Sequence, residues 1–201
     1  MANQLLLKHA HYFANSHFTD GDILVRDGKI AAITAAGSPL WADIPEEQVL
    51  DLAGLTVLPG IVDSHVHFRD PGRPDREDFF TGSRAAAAGG VTTFCEMPLA
   101  IPPPNNPVNL QNRIELGEAR SVTDFALFGA AGYDNRDQFQ PLLDAGVVAF
   151  KTFLHPAPAG REKEFDGLTV DDEGQLYQML LVGPKTKGRT SFHCKNAKLI
   201  A

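Results

Sequence analysis

Two histidines, His65 and His67, are the first residues whose types and spacing could do chemistry. They close an apolar run that begins at Ile61, a pattern typical of a β-strand. Because side chains alternate along a strand with a period of two, both imidazoles should leave the same face. Two neutral imidazoles held together suit zinc or a similar divalent cation. Taken alone, the pair is equally compatible with two polar residues at a strand end.

A single lysine, Lys151, interrupts the apolar run Val147–Leu154. A charged amine is costly to bury, and burial therefore lowers the pKa of a lysine. A neutral amine can react with carbon dioxide to give a carbamate, an anion whose two oxygens could bridge two cations. The ordinary alternative is a lysine whose stem is buried while its ammonium reaches solvent past the strand end.

A third strand-like segment, Thr190–His193, ends in another histidine. A lone histidine is more often structural than a metal ligand. Here, however, three separate strands carry metal-compatible groups at corresponding ends: His65 with His67, then Lys151, then His193. This coincidence favours one shared metal site over three unrelated polar residues.

Strands that alternate with helices from residue 59 onward must position these groups, and this order is typical of βα units in a parallel sheet. A parallel β/α barrel places its chemistry at the C-terminal ends of its strands, where the polar residues collect here. We expect Gly183-Pro184 to interrupt the last helix. The predicted strands are Ile61–Phe68, Val91–Met97, Phe125–Ala131, Val147–Leu154 and Thr190–His193, and the predicted helices are Thr81–Ala88, Asn109–Arg120, Asp137–Ala145 and Val170–Val182.

Residues 1–58 have a different pattern, and we predict a small N-terminal β module there. The run Gln4–Tyr12 is apolar, and Asp22–Ile33 contains two β-branched runs around Asp27-Gly28. An Asp-Gly pair between such runs indicates a hairpin, because both turn positions favour positive φ. A further turn and strand are predicted at Val49–Val57, with Gly54 in the middle.

The composition excludes several classes of partner and site. The chain has 201 residues, with 25 acidic against 18 basic side chains and a formal charge of −7. This balance argues against nucleic acid and against an anionic membrane as partners, since both require a basic face. Two cysteines, Cys95 and Cys194, form neither a disulfide framework nor a C-x-x-C zinc site. Without a signal segment or an apolar run of about 20 residues, we expect a cytoplasmic protein.

The motifs around these residues resemble those of one enzyme family. The segment Asp63–Gly72 resembles the dihydroorotase-type signature of the amidohydrolase superfamily, and Glu77–Thr93 continues the similarity. Phe150–Phe153 is similar to the strand of hydantoinases and allantoinases that carries a carbamylated lysine. Phe192–Asn196, followed by Leu199–Ala201, is similar to the His-Ala-Glu-Asn or His-Cys-Glu-Asn strand of the same enzymes. The chain is therefore identified as a member of the cyclic amidohydrolases.

This resemblance implies a fold and a role for each residue. The fold would be a metal-dependent hydrolase (β/α)8 TIM-type barrel preceded by a small β-sandwich. His65 and His67 would bind the more buried zinc ion, carbamylated Lys151 would bridge two zinc ions, and His193 would bind the second. Arg69 would hold a substrate carboxylate. The reaction implied is hydrolysis of a small cyclic amide or ureide by a hydroxide that bridges the ions, in a homo-oligomer when full length.

Three features depart from the family pattern. Arg69 favours a dihydroorotase, whereas Leu99, in place of an asparagine after Met-Pro, and Phe150-Lys151 favour an allantoinase or a hydantoinase. Lys195 replaces an expected glutamate, and a cation close to a metal ligand opposes metal binding. A barrel needs about 250 residues, so we expect residues 59–201 to form only its first part, truncated before a further histidine and the aspartate that acts as general base. We therefore expect this chain to be inactive alone.

Two other functions follow from the same residues. A chain of this kind could be a non-catalytic scaffold or assembly subunit that keeps the fold of a hydantoinase, and its metal content would distinguish the two. A dinucleotide-binding domain is disfavoured, because no G-x-G-x-x-G follows a predicted strand.

Overall fold

The structure, a computed structural model, describes residues 4–53, 55–186 and 188–195. The chain divides into two compact units, Met1–Pro59 and Gly60–Ala201. Along the described residues, no helix has both the length and the apolar character needed to cross a membrane.

The first unit is built on one mixed sheet. Strand β1 pairs antiparallel with β2, β2 pairs antiparallel with β3, and β1 also pairs in parallel with β4 and with β5. Asp27 and Gly28 connect β2 to β3 with φ values of 51° and 73°, which confirms the predicted hairpin turn. The strands are β1 (Gln4–Ala14), β2 (His17–Arg26), β3 (Lys29–Thr34), β4 (Val49–Asp51) and β5 (Thr56–Val57).

Small apolar clusters hold this sheet together. Leu6 and Leu24 pack with Trp41, whose indole Nε1 donates to Thr34 Oγ1 at 3.0 Å. The fully buried Asp22 accepts hydrogen bonds from two backbone amides, so its charge is compensated. The described residues of this unit contain a single sheet, and the expected sandwich stays a prediction.

The second unit contains a five-stranded sheet in which all four pairings are parallel. The strands follow one another across the sheet in chain order, so that each βα connection returns the chain beside the preceding strand. This confirms the predicted alternation of strands and helices and the parallel sheet. The strands are β6 (Ile61–Val66), β7 (Val91–Glu96), β8 (Asp124–Ala130), β9 (Ala149–Phe153) and β10 (Thr190–His193).

Four helices connect these strands, and local side chains fix where two of them begin. The Asp78 carboxylate accepts the amide of Thr81 at 2.7 Å, and the Asn106 side chain accepts the amide of Asn109 at 3.0 Å. Both contacts are N-caps that satisfy a free amide of the first turn. The helices are α1 (Phe79–Ala88), α2 (Pro107–Arg120), α3 (Phe139–Asp144) and α4 (Glu173–Thr186).

Two helix predictions were wrong in extent. Helix α4 continues through Gly183-Pro184 to Thr186, so this pair does not interrupt it. A proline removes one backbone hydrogen bond, and here the loss falls in the last turn, just before the helix ends. The segment predicted as a helix over Asp137–Ala145 begins with a 3-10 turn, Arg136–Gln138, before α3 starts at Phe139.

An aromatic core fills the space between the sheet and the helices. Phe68 lies 4.7 Å from Phe94 and 5.7 Å from Phe79, measured between ring centroids. Phe139 and Phe150 form a further pair at 5.0 Å. Because Phe68 directly follows His67, this packing anchors the chain where strand β6 ends and the polar residues begin.

Candidate metal centre

His65 and His67 face each other at the C-terminal end of β6. Their Nε2 atoms are 3.3 Å apart, and their ring centroids are 5.2 Å apart. His65 belongs to the strand, whereas His67 lies just beyond its last residue, Val66. The pair therefore presents two ring nitrogens to one point in space, as the period-two spacing predicts.

The surroundings keep both imidazoles neutral. Burial, followed by the nearby charges of His65, Arg69, Lys151 and Arg113, lowers the pKa of His67 to about 4. Burial and the charge of Lys151 also lower the pKa of His65, against a smaller opposing effect of Asp63. A neutral imidazole has a free lone pair, which is the form that binds a metal ion.

Lys151 is buried in the centre of β9. Its side chain is 3% exposed, and its ammonium lies 5.3 Å from the centre of the Phe153 ring. Among the described residues, no carboxylate forms an ion pair with it. Burial lowers the pKa of Lys151, which increases the fraction of the lysine that carries a neutral amine.

His193 lies at the end of β10, the neighbour of β9 in the sheet. Burial lowers the pKa of His193, and the charge of Lys151 lowers it further. Weaker contributions come from His155, Lys195 and His65. Lys151 therefore lies within electrostatic range of all three predicted histidines. His155, which the sequence did not single out, is also close, with 5.6 Å between its ring centroid and that of His193. Asn196 and Leu199–Ala201 of the last motif lie outside the described residues, as does Gly54.

Arg69 is held by an acidic residue from a distant part of the chain. Its Nη1 donates to Glu164 Oε2 at 2.9 Å, and the guanidinium of Arg161 donates to the same oxygen. Glu164 is 5% exposed and follows β9 by eleven residues. Sequence reasoning missed both Arg161 and Glu164. No local pattern connects them to Arg69, and Glu164 lies 95 positions further along the chain.

A buried ion pair lies directly behind the histidines. Glu96, the last residue of β7, accepts a hydrogen bond of 2.5 Å from Arg113 Nη2 of helix α2. Both side chains are almost fully buried. Burial raises the pKa of Glu96 to about 7, opposed by the charge of Arg113 and by amide donors of Phe68 and Arg69. This ion pair was not predicted from the sequence, because no local pattern links a glutamate on a strand to an arginine 17 residues later.

The described residues meet one requirement of a divalent-cation site, the spacing of two ligands, but do not supply a complete set of ligands. Two ring nitrogens bound to one tetrahedral zinc ion are separated by about 3.3 Å, the separation of the His65 and His67 Nε2 atoms. Over the described residues, however, no group of three or more His, Cys, Asp and Glu side chains could hold a metal. That set does not include Lys151, whose nitrogen or carbamate could supply a further ligand.

Several known proteins are similar to this chain in sequence. Residues 54–152 match the family model described as dihydro-orotase-like. The chain is 39% identical over 171 residues to an allantoinase of Bacillus velezensis, covering 85% of this chain and 37% of that protein. It is 41% identical over 133 residues to a dihydroorotase of Methanothermobacter thermautotrophicus, covering 66% of this chain and 29% of that protein. The chain belongs to the cyclic amidohydrolase family.

A solved structure of the same family shares the fold of this cyclic amidohydrolase. The L-hydantoinase (dihydropyrimidinase) from Arthrobacter aurescens superimposes with a TM-score of 0.84 at 29% sequence identity. The match covers 98% of this chain and 42% of that one. The chain thus spans about two fifths of the length of its relatives, and the mixed α/β arrangement of both units belongs to the shared fold.

The depressed pKa of His67 predicts how the stability of this cyclic amidohydrolase depends on pH. A pKa of about 4 in the folded chain, against about 6.5 in the unfolded chain, means that the unfolded state binds more protons between these values. The associated stability is complete above pH 6.5 and is lost as the pH falls toward 4. Allowing for partial solvent screening, the loss is about 2 kcal/mol.

Urea unfolding with a chelator present, at pH 7.5 and at pH 4.5, measures this loss. The stability of wild type should fall between these pH values by about 2 kcal/mol more than that of His67→Gln. The opposite dependence contributed by Glu96 is present in both proteins and cancels in the comparison. An identical pH dependence in the two chains would contradict the prediction.

Proposed function

We propose that this chain supplies metal ligands to an active site that hydrolyses a C–N bond in the ring of a small cyclic amide or ureide. The observation that carries the proposal is the pair of neutral imidazoles of His65 and His67, whose Nε2 atoms are 3.3 Å apart. They lie near the buried Lys151, for which the described residues provide no ion-pair partner. The names of the relatives, allantoinase, dihydroorotase and hydantoinase, support the same reaction class. The five-stranded sheet would be part of a (β/α)8 barrel, and the N-terminal sheet part of a β-sandwich.

Each residue of the candidate metal centre has a role in this proposal. His65 and His67 would hold one zinc ion, and His193 would contribute to a second. The neutral amine of Lys151 would add to carbon dioxide, forming an N–C bond and releasing one proton, and the resulting carbamate would offer an oxygen to each ion. When bound, such cations lower the pKa of water toward about 7 and polarise a ring carbonyl.

The binding of substrate rests on Arg69 and its neighbours. Arg69 and Arg161 together carry two positive charges against the single carboxylate of Glu164. One positive charge therefore remains uncompensated in this group, which is compatible with a carboxylate on the substrate ring. The same contacts fix the Arg69 guanidinium in place before any substrate arrives.

Lys151→Met tests the proposal through metal content and mass. With zinc and bicarbonate, the wild-type chain should bind zinc and gain the mass of one carbon dioxide, which is lost on acidification. The variant should gain no such mass and should hold less zinc, measured by native and inductively coupled plasma mass spectrometry. Lys163→Met, the same change at an exposed lysine, is the matched control and should behave as wild type.

Ring opening is then assayed with allantoin, dihydroorotate and hydantoin, using the zinc-loaded chain fused to the remaining part of a relative's barrel. Turnover of one of them supports hydrolysis and identifies the ring. If the fused chain binds zinc and opens none of the three rings, this substrate class is contradicted. A chain that binds no zinc would favour the scaffold function instead.

A further inference from the structure

The turn that follows strand β6 surrounds a carboxylate. The backbone amide of Phe68 donates to both oxygens of Glu96, each at 3.0 Å, and the amide of Arg69 also donates to this carboxylate. Successive backbone amides that converge on one anion form a concave binding site for negative charge. Here the chain fills that site with its own glutamate, brought in from the neighbouring strand β7.

The backbone of this turn has a conformation that needs support. Arg69 has a φ of 60°, in the left-handed region that residues other than glycine rarely occupy. Such a conformation persists only when the surrounding structure holds it, because it is intrinsically unfavourable. The hydrogen bonds to Glu96 provide that support, since they require the amides of Phe68 and Arg69 to point the same way.

Arg113 favours the charged, accepting form of Glu96, against the burial that raises the pKa of this carboxyl to about 7. The Nη2 atom of Arg113 donates to Glu96 Oε1, and two other nitrogens of this guanidinium, Nε and Nη1, have no hydrogen-bond partner in the described part of the chain. The arginine is 1% exposed, so water does not compete for the carboxylate. Charge-assisted bonds of this kind are shorter and stronger than bonds between neutral groups.

The position of this turn connects it to the candidate metal centre. His67 and Arg69 lie immediately before and after Phe68, whose ring is fixed by Phe79 and Phe94 and whose amide is fixed by Glu96. Any rotation of the turn would change both the distance between His65 and His67 and the position of the Arg69 side chain. The carboxylate of Glu96 thus binds the backbone between a candidate metal ligand, His67, and a candidate substrate-binding residue, Arg69.

We propose that Glu96 is a positioning residue, which sets the backbone from which His67 and Arg69 project. It touches neither metal nor substrate, and acts through the Phe68 and Arg69 amides. The proposal rests on the proposed function for its consequence in zinc binding, whereas its structural part concerns only the contacts of this carboxylate.

Glu96→Gln is the test, because glutamine keeps the shape and removes the charge. In the zinc-free chain at pH 8, the proton resonances of the Phe68 and Arg69 amides should move upfield in the variant, since they lose a charged acceptor. Zinc affinity, measured by competition with a chelator, should fall by about 10–100-fold, the usual effect of removing a residue that orients a ligand. Glu96→Asp, which restores the charge on a shorter stem, should recover part of both signals.

Leu142→Ala provides a matched control for simple loss of stability. Leu142 is fully buried on helix α3, in the same apolar core as Phe68 but outside the turn itself. This variant should be destabilised and still bind zinc as wild type does. An equal loss of zinc affinity in Leu142→Ala would show that affinity follows stability alone and would overturn the proposal.

The two amide resonances separate this proposal from the proposed function. Unchanged shifts in Glu96→Gln would overturn the positioning role whatever the zinc result. Shifted amides in a chain that binds no zinc, wild type included, would support the positioning of the turn while contradicting the metal centre. Shifted amides with unchanged zinc affinity would show that the turn does not control His67, and would also overturn the proposal.

Discussion

His67→Ala is expected to lower the zinc affinity of the chain by more than about 100-fold, since loss of a residue that only orients a ligand already costs 10–100-fold. The alanine removes one of two nitrogens that converge on the same point, 3.3 Å apart. His65 would remain, with a lowered pKa and a free lone pair, but a single imidazole gives no chelation. The proposed site would then depend on groups that lie on other strands.

Competition with a chromophoric chelator at pH 7.5 measures this change directly. His17→Ala is the matched control, because His17 is an exposed histidine of the first unit whose ring forms a hydrogen bond with the backbone oxygen of Asn15. It should bind zinc as wild type does. Equal affinity of wild type and His67→Ala would place zinc elsewhere in the chain and contradict the candidate metal centre.

Features that depend on neighbouring residues could be predicted from the sequence. The Asp27-Gly28 turn requires positive φ at two adjacent positions, and aspartate followed by glycine is a pair of residue types that favours this conformation. The end of helix α1 at Gly89-Gly90 is equally local, with Gly90 at a φ of 82°. The facing of His65 and His67 follows from strand geometry alone, because residues two apart lie on one face.

Features that depend on packing could not be predicted in the same way. In the sequence, Glu96 and Arg113 resemble ordinary charged residues. They are buried together only because helix α2 packs near the end of strand β7. The contact of Arg69 with Glu164 requires the loops after β6 and β9 to meet, which no local pattern indicates. The predicted end of helix α4 was wrong, because a proline in the last turn removes one backbone hydrogen bond without ending the helix at that residue.

The buried ion pair should have the largest effect on stability. Arg113→Met leaves the Glu96 carboxylate buried and without its cation, and breaking a buried pair in this way costs about 3–5 kcal/mol. Methionine is similar in length and apolar, so the change removes the charge with little loss of volume. We expect this loss in the free energy of unfolding at pH 8.5, measured by urea denaturation.

The dependence of that loss on pH follows from the titration of Glu96. Burial already raises the pKa of this carboxyl to about 7 with Arg113 present, and removal of the cation raises the pKa further. Because the folded chain holds a proton that the unfolded chain releases above about pH 4.3, its stability falls as the pH rises from about 4.3 to the folded pKa of Glu96. This fall ends near pH 7 in wild type and continues to higher pH in the variant. The difference from wild type should therefore be smaller at pH 5.5, where the carboxyl is protonated and neutral.

The double variant Glu96→Gln/Arg113→Met separates charge from packing. It removes the buried carboxylate together with its partner, so the penalty for an unpaired charge disappears, while the glutamine oxygen can still accept the amide of Phe68. At pH 8.5 the double variant should be more stable than Arg113→Met and should lose the pH dependence. If the double variant is as unstable as the single one at both pH values, the two side chains stabilise the fold by filling space, and the charge on Glu96 has no part in holding the turn between His67 and Arg69.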